Sequence, residues 1–208
     1  MSKNDEESSP SLRVATIADA QELLAVYDPY VRKTAITFEW ETPSLIEFRQ
    51  RIKQTLQRYP YLVAECDGSI LGYAYTNPVG SRAAFAWCAE TSVYLREDVR
   101  GRGIGHLLYA ALECLSAAQG LTRLYARVAC TEQVDSYVTD DSLLFHHKMG
   151  YEQVGLMKAC GYKFDCWYDL AILEKRLSNS KFAQEFIPFP QLSAEILSSC
   201  GVYQSSCE

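Results

Sequence analysis

The sequence predicts an α/β fold of the α+β kind, a mixed and mostly antiparallel central sheet flanked by helices. Three observations carry this. An Asp67-Gly68 turn signal joins two strand-like apolar runs. A glycine-rich turn stands between a strand-like run and a helix with one apolar side. Two further strand-like runs then close the pattern, so hairpins followed by a strand-helix-strand unit imply a mixed sheet with helices on its faces.

Taken in order, residues 12–16 read as a short first strand. Asp19 is placed to cap a helix whose apolar face is Leu23, Leu24, Val26, Tyr27, Tyr30 and Val31. Thr42-Pro43-Ser44 opens a second helix, along which Leu45, Ile46, Phe48, Ile52 and Leu56 recur at helical spacing. Residues 61–66 and 70–75 form the hairpin, and Asn77-Pro78-Val79-Gly80 ends its second strand. Residues 84–95 read as a longer strand, 106–119 as a helix with Leu107, Leu108, Ala111, Leu112 and Leu115 on one side, and 124–128 as a strand. A polar loop spans 131–141 and a short helix 142–149. The last strands are 154–160 and 167–173, joined through Gly161-Tyr162-Lys163.

The chain has 208 residues, enough for one domain with a sizeable core. Residues 1–10 are polar and acidic and are expected to be a disordered tail, 11–177 the folded domain, and 178–208 an extension. The extension carries Phe182, Phe186, Ile187, Phe189, Leu192, Ile196 and Leu197, too many apolar residues for a solvated linker, so it is expected to pack on this subunit or on a partner.

The net charge of −6 argues against a broad basic surface for nucleic acid. No run is long and apolar enough for a membrane span, and the N-terminus does not read as a signal or transit peptide. The eight cysteines are Cys66, Cys88, Cys114, Cys130, Cys160, Cys166, Cys200 and Cys207, with no C-x-x-C pair, so no metal site is expected. Without a secretory signal they are expected as free thiols in a reducing cytoplasm.

Arg100-Gly101-Arg102-Gly103-Ile104-Gly105 lies between strand and helix. Its glycines permit a tight turn that points several N–H groups into one space, and the helix start adds its positive dipole end, a cradle suited to a pyrophosphate. No Lys-Ser or Lys-Thr follows, against a Walker loop, and the third glycine of a dinucleotide fingerprint would fall on His106. A glycine turn without a ligand is the plain alternative.

The spacing of Arg100, Gly103 and Gly105 matches R-x-x-G-x-G, the coenzyme A pyrophosphate loop of the GNAT superfamily. Three other segments resemble its phosphinothricin and methionine sulfone acetyltransferase branch. Tyr59-Pro60-Tyr61-Leu62-Val63-Ala64-Glu65 is similar to Y-P-W-L-V-A-E, and Ala89-Glu90-Thr91-Ser92-Val93-Tyr94-Leu95 to A-E-S-T-V-Y-V. Gly161-Tyr162-Lys163-Phe164-Asp165-Cys166-Trp167-Tyr168-Asp169 resembles G-F-K-x-x-x-W-x-D. The resemblance runs from about Arg13 to Leu177.

This resemblance implies a GNAT fold and direct transfer of acetyl from acetyl-coenzyme A to a primary amine in a ternary complex, with no metal. It implies Glu90 as general base, Val93, Tyr94 and Leu95 as the strand whose backbone meets the pantetheine arm, and Arg100, Gly101, Arg102, Gly103, Ile104, Gly105 and His106 as the pyrophosphate site. Arg96 is a further candidate for charge near the phosphates. Counting back from Gly150-Tyr151 along the superfamily's N-x-x-[AS]-x-x-[LF]-Y-x-x-x-G-[FY] puts Thr139 at the asparagine that contacts the pantetheine, and His146 at the tyrosine proposed as general acid. The branch itself carries histidine there, and the loop 130–141 is about six residues longer than its counterpart.

The branch's acceptors are small amino-acid analogues. Arg82 matches an arginine of the branch and suits a carboxylate or phosphinate, with Phe38, Tyr75 and Trp87 as pocket walls. A homodimer with acceptor sites near the subunit interface is implied, and neither nucleic acid nor membrane is an expected partner. Two rivals remain open: a protein N-terminal acetyltransferase, and a non-catalytic acyl-coenzyme A-binding module.

Overall fold

In a computed structural model that describes residues 9–132 and 135–203, the strands are β1 (Ser11–Val14), β2 (Tyr61–Cys66), β3 (Ser69–Pro78), β4 (Cys88–Leu95), β5 (Arg123–Cys130), β6 (Glu152–Lys163), β7 (Cys166–Arg176) and β8 (Val202–Tyr203). The α-helices are α1 (Ala20–Lys33), α2 (Leu45–Leu56), α3 (Ile104–Ala118), α4 (Asp141–Lys148) and α5 (Ala194–Ser199). One sheet results, in the order β6-β7-β5-β4-β3-β2-β1-β8. The β4–β5 and β1–β8 ladders are parallel and the others antiparallel, so the mixed, mostly antiparallel sheet read from the sequence is the one found. Most of the expected disordered tail, residues 1–8, lies outside the described residues, as does Cys207.

Each face of the sheet has its own core. Leu23, Val26, Tyr27 and Val31 of α1 and Phe48 and Ile52 of α2 pack on Tyr61, Val63 and Tyr73. On the other face Leu108, Leu112 and Leu115 of α3, all fully buried at helical spacing, pack on Leu62, Ala74, Ala89 and Leu124. Each such leucine stabilises the fold by about 1.5–3 kcal/mol.

Four local features differ from the sequence reading. Asp19 does not cap α1; its carboxylate takes a bidentate contact from Arg13 and the backbone N–H of Thr16. Residues 83–85 form a 3-10 turn, and β4 starts at Cys88, where β3 and β5 both become available as partners. The β6–β7 hairpin turns at Phe164-Asp165, with φ of 51° and 59°, so Gly161-Tyr162-Lys163 stays within β6. Gly161 lies under the ring of Phe38, where a Cβ would come within 2.4 Å.

The fourth difference is in the C-terminal segment, which supplies the eighth strand. Phe189, Leu192, Leu197 and Val202 are buried in the α3-side core, and β8 pairs with β1. A disulfide joins Cys114 of α3 to Cys200 at the end of α5, correcting the expectation of free thiols for this pair: α5 brings the two Cα atoms to 5.6 Å. Among the described residues no helix is long and apolar enough to cross a membrane, and no group of His, Cys, Asp or Glu is placed to hold a metal ion.

Candidate active site

Parallel strands β4 and β5 pair only from Cys88–Arg123 to Glu90–Tyr125. Beyond that point β4 runs on beside β3 to Leu95, and β5 runs on beside β7 to Cys130. A wedge therefore opens between two neighbouring strands of one sheet. Where the ladder stops, the Thr91 hydroxyl donates to the Tyr125 carbonyl at 3.1 Å.

The pleat decides what faces the wedge. Arg96 N–H donates to the Leu71 carbonyl across β3, whereas the N–H and carbonyl of Leu95 both turn the other way to the Tyr30 hydroxyl, at 3.1 and 2.7 Å. Backbone groups alternate along a strand, so Val93 directs its N–H and carbonyl toward the opened side. Of the three expected pantetheine contacts, Leu95 is thus already engaged by Tyr30, and the Tyr94 ring is packed edge-on against Tyr27 and Tyr30. Val93 retains the edge.

At the mouth of the wedge, Gly101 and Gly103 have φ of 78° and 81°, and a Cβ at either would meet no protein atom within 4 Å. Gly103 is the N-cap of α3, whose first recorded backbone return is Leu107 N–H to the Gly103 carbonyl. The N–H groups of the first helical turn, Ile104, Gly105 and His106, have no partner within the helix. Left-handed glycines, open space and a helix start of fifteen residues fit a phosphate-bearing ligand. Gly105 has a separate duty: a Cβ there would lie 3.2 Å from the Phe145 ring, so it lets α4 approach α3. Arg102 is exposed, and Arg100 lies 5.0 Å over the Tyr30 ring. His106 is exposed, with Nδ1 3.1 Å from the Met149 sulfur. Arg96 is drawn aside to Asp98 and the Ile70 carbonyl. Thr139 is exposed before α4 and donates to Asp141 at 2.9 Å.

Glu90 and Thr91 project to opposite faces. Glu90 faces the α1–α2 side, half-buried, with Oε2 held by Nε of Arg127 at 2.8 Å and by Nη2 of the same residue. The Arg127 side chain is half-exposed, and the Glu90 hydrogen bond strengthens its already strong hold on its proton. Across the β3–β4 ladder, Asn77 pairs with Glu90 and Tyr75 with Ser92. A cavity of about 550 Å³ extends from Tyr75 and Asn77 between α2 and the sheet, walled by Tyr27, Phe48, Arg51, Tyr61 and Tyr73. Burial pushes the Tyr75 hydroxyl up to about 12, so it stays a neutral donor. Arg51 is already compensated by Glu39 and Glu47.

His146, the expected proton donor, is on the other face. It is buried, with Nδ1 2.7 Å from the Ser142 carbonyl and Nε2 2.9 Å from the Tyr109 hydroxyl. A carbonyl only accepts, so Nδ1 carries the proton and Nε2 accepts from Tyr109. Burial pushes its pKa down, and both nitrogens are occupied. His146 holds α4 to α3.

The expected acceptor walls are dispersed. Tyr75 lines the cavity. Phe38 packs instead with Ala35, Ala129, Val138 and Tyr168. Trp87 donates its indole N–H to the Gln184 carbonyl of the C-terminal segment at 2.6 Å, and Arg82 is exposed in the β3–β4 connection. Sequence reasoning missed Arg127 and Lys163. Strand alternation assigns Arg127 to the face opposite buried Leu124, Ala126 and Val128, but its meeting with Glu90 depends on the β4–β5 register. Lys163 is buried and donates to the carbonyls of Val31, Thr34 and Thr37 at 2.7, 2.8 and 3.0 Å, which fixes the α1–α2 connection beside the site.

A family model described as "Acetyltransferase (GNAT) domain" matches residues 12–172. The phosphinothricin N-acetyltransferase of Alcaligenes faecalis is 34% identical over 169 residues, covering 81% of this chain and 83% of that one. The L-methionine sulfoximine/L-methionine sulfone acetyltransferase of Pseudomonas aeruginosa is 35% identical over 178 residues, covering 84% and 99%. Among solved structures, a phosphinothricin acetyltransferase from Sinorhizobium meliloti in complex with AcCoA aligns with a TM-score of 0.76 and 30% identity, covering 86% of this chain and 93% of that one.

Proposed function

Because this chain belongs to the GNAT acetyltransferase domain family, we propose that it moves acetyl from acetyl-coenzyme A to the α-amine of a small amino acid or analogue of the phosphinothricin or methionine sulfone type. The observation that carries this reading is the wedge between β4 and β5, with the left-handed glycine turn at its mouth and Glu90 at the point where the ladder ends. In this reading Gly101, Arg102, Gly103, Ile104, Gly105 and His106 receive the pyrophosphate, with Arg100 beside them, and the Val93 edge receives the pantetheine. The amine's lone pair forms the new N–C bond at the thioester carbon, and the C–S bond breaks with its electrons left on sulfur. Glu90, directly or through a water, takes the proton released by nitrogen.

The cavity beside Tyr75 is of a size for a small acceptor. The described part of the long loop also favours one over a peptide. Asp135 accepts from the N–H groups of Tyr137 and Val138, Tyr137 stacks on Phe164 at 4.2 Å, and its carbonyl accepts from Ala35 N–H, so the loop is folded down onto the α1–α2 connection. A homodimer is favoured by exposed Val154, Leu156 and Met157 on edge strand β6, and by the exposed aromatic group of Trp40, Tyr162 and Trp167. The reading is tested by coenzyme A release with L-methionine sulfone, phosphinothricin and peptides bearing free N-termini. Release with the amino acids and none with peptides is expected; release with peptides alone would replace it by the protein N-terminal acetyltransferase reading.

A further inference from the structure

Glu90 and Arg127 form a pair whose outer groups are uncommitted. Both recorded hydrogen bonds from Arg127 converge on Oε2 of Glu90, leaving Oε1 of Glu90 and Nη1 of Arg127 without a hydrogen bond among the described residues. The pair lies on the α1–α2 side of the sheet, the Glu90 side chain 18% exposed and that of Arg127 51%. Within the described residues, Arg127 is the cation in ion-pair contact with Glu90. Arg51 on the cavity wall is neutralised by two carboxylates, and Arg58, also on that wall, lies over the Phe186 ring.

An α-amino acid carries its amine and its carboxylate on a single carbon. A protein group that binds the carboxylate must therefore be an immediate neighbour of the group that takes the proton from the amine. A guanidinium matches a carboxylate through parallel N–H donors, and here it touches the carboxylate assigned as base. Resting on the acceptor reading above, we infer that Glu90 and Arg127 together clamp the acceptor's zwitterion, Arg127 taking the carboxylate while Glu90 takes the amine. Binding exchanges one contact for another: the acceptor's carboxylate replaces Glu90 as partner of Arg127, and Glu90 is released toward the nitrogen. An amine without a carboxylate leaves Glu90 tied to Arg127. Arg127 is then a specificity-determining residue.

The test compares L-methionine sulfone with its carboxamide, which keeps the amine and the side chain and removes the negative charge. Steady-state kinetics are measured for the unmodified enzyme, Arg127→Gln and Arg127→Lys, with calorimetry of acetyl-coenzyme A binding to establish that each variant is folded and loads the coenzyme. The unmodified enzyme is expected to prefer the acid. Arg127→Gln should raise KM for the acid about 10- to 100-fold with a smaller change in kcat, and leave the carboxamide no worse a substrate. Arg127→Lys should recover part of the loss. An unchanged preference for acid over amide in Arg127→Gln, with coenzyme binding intact, would overturn the clamp while leaving the acceptor reading in place. An unmodified enzyme that acetylates neither compound would overturn the acceptor reading and the clamp with it.

Discussion

Adjacent residues at the end of one ladder, Glu90 and Thr91, open onto two different kinds of polar environment. On the Thr91 face, Thr91 with Tyr151, and Tyr109 with His146, are buried and hydrogen-bonded to one another or to backbone. Every proton of His146 is spoken for, and burial favours its neutral ring. On the Glu90 face there is a two-residue ion pair, half open to solvent, beside a cavity. The difference separates architecture from chemistry. A buried network whose protons are already engaged has none to offer a ligand without breaking the fold. An ion pair with free outer atoms can exchange partners at small cost.

This contrast can be broken or sharpened by substitution. The largest effect is expected from Glu90→Gln, which removes the base and keeps the shape: kcat should fall about 10²- to 10⁴-fold, with acetyl-coenzyme A affinity by calorimetry nearly unchanged. Next comes Lys163→Met, on the architectural side. It strips three carbonyls of their shared donor, and should cost about 3 kcal/mol and lower Tm by roughly 10 °C, read by calorimetric melting. Gly103→Val tests the coenzyme turn more cleanly than any change at Gly105, because Gly105 also carries the Phe145 contact. A branched residue is strained at φ 81° and places its Cβ in the open space, so coenzyme affinity should drop about 10- to 100-fold, while the strain of about 1–2 kcal/mol lowers Tm by only a few degrees.

The smallest effect sets a closed ion pair against the open one. Burial alone would raise the Asp19 carboxyl, but hydrogen bonds from Arg13 and Thr16 hold it below the usual value of about 3.9. The pair's stabilisation is therefore complete at neutral pH and is lost as pH falls below about 3.9 toward the folded-state value. Asp19→Asn should lower stability at pH 7 by about 1 kcal/mol and flatten the acid limb of a urea-denaturation series.

Much of the frame was legible in the sequence because it is local. The Asp67-Gly68 hairpin, the amphipathic helices and the glycine turn are each specified within about fifteen residues, and Glu90 is marked by its own strand segment. The features that no single segment reveals are non-local. Arg127 meets Glu90 only through a parallel pairing across the whole of α3. His146 stands at the position of a proposed acid, yet Tyr109, 37 residues earlier, occupies its Nε2. Trp87 reads as a pocket wall until Gln184, 97 residues later, takes its indole N–H. Cys114 and Cys200 read as unrelated thiols until α5 folds onto α3. Spacing within a segment reveals what a residue is placed to do, but only the pairing of distant segments decides which of its atoms remain free.

The measurement that tests this division most directly is a side-by-side single-turnover experiment with Glu90→Gln and His146→Phe, at saturating acetyl-coenzyme A and L-methionine sulfone, with a thermal melt of each protein. Glu90→Gln should transfer acetyl at least about 100-fold more slowly than the unmodified enzyme while melting at the same temperature. His146→Phe should transfer at nearly the original rate at every pH but melt lower, because it leaves the Tyr109 hydroxyl buried without its acceptor at a cost of about 1–3 kcal/mol. If His146→Phe melts normally and loses as much rate as Glu90→Gln, the buried face takes part in the chemistry and the division between the two faces is wrong.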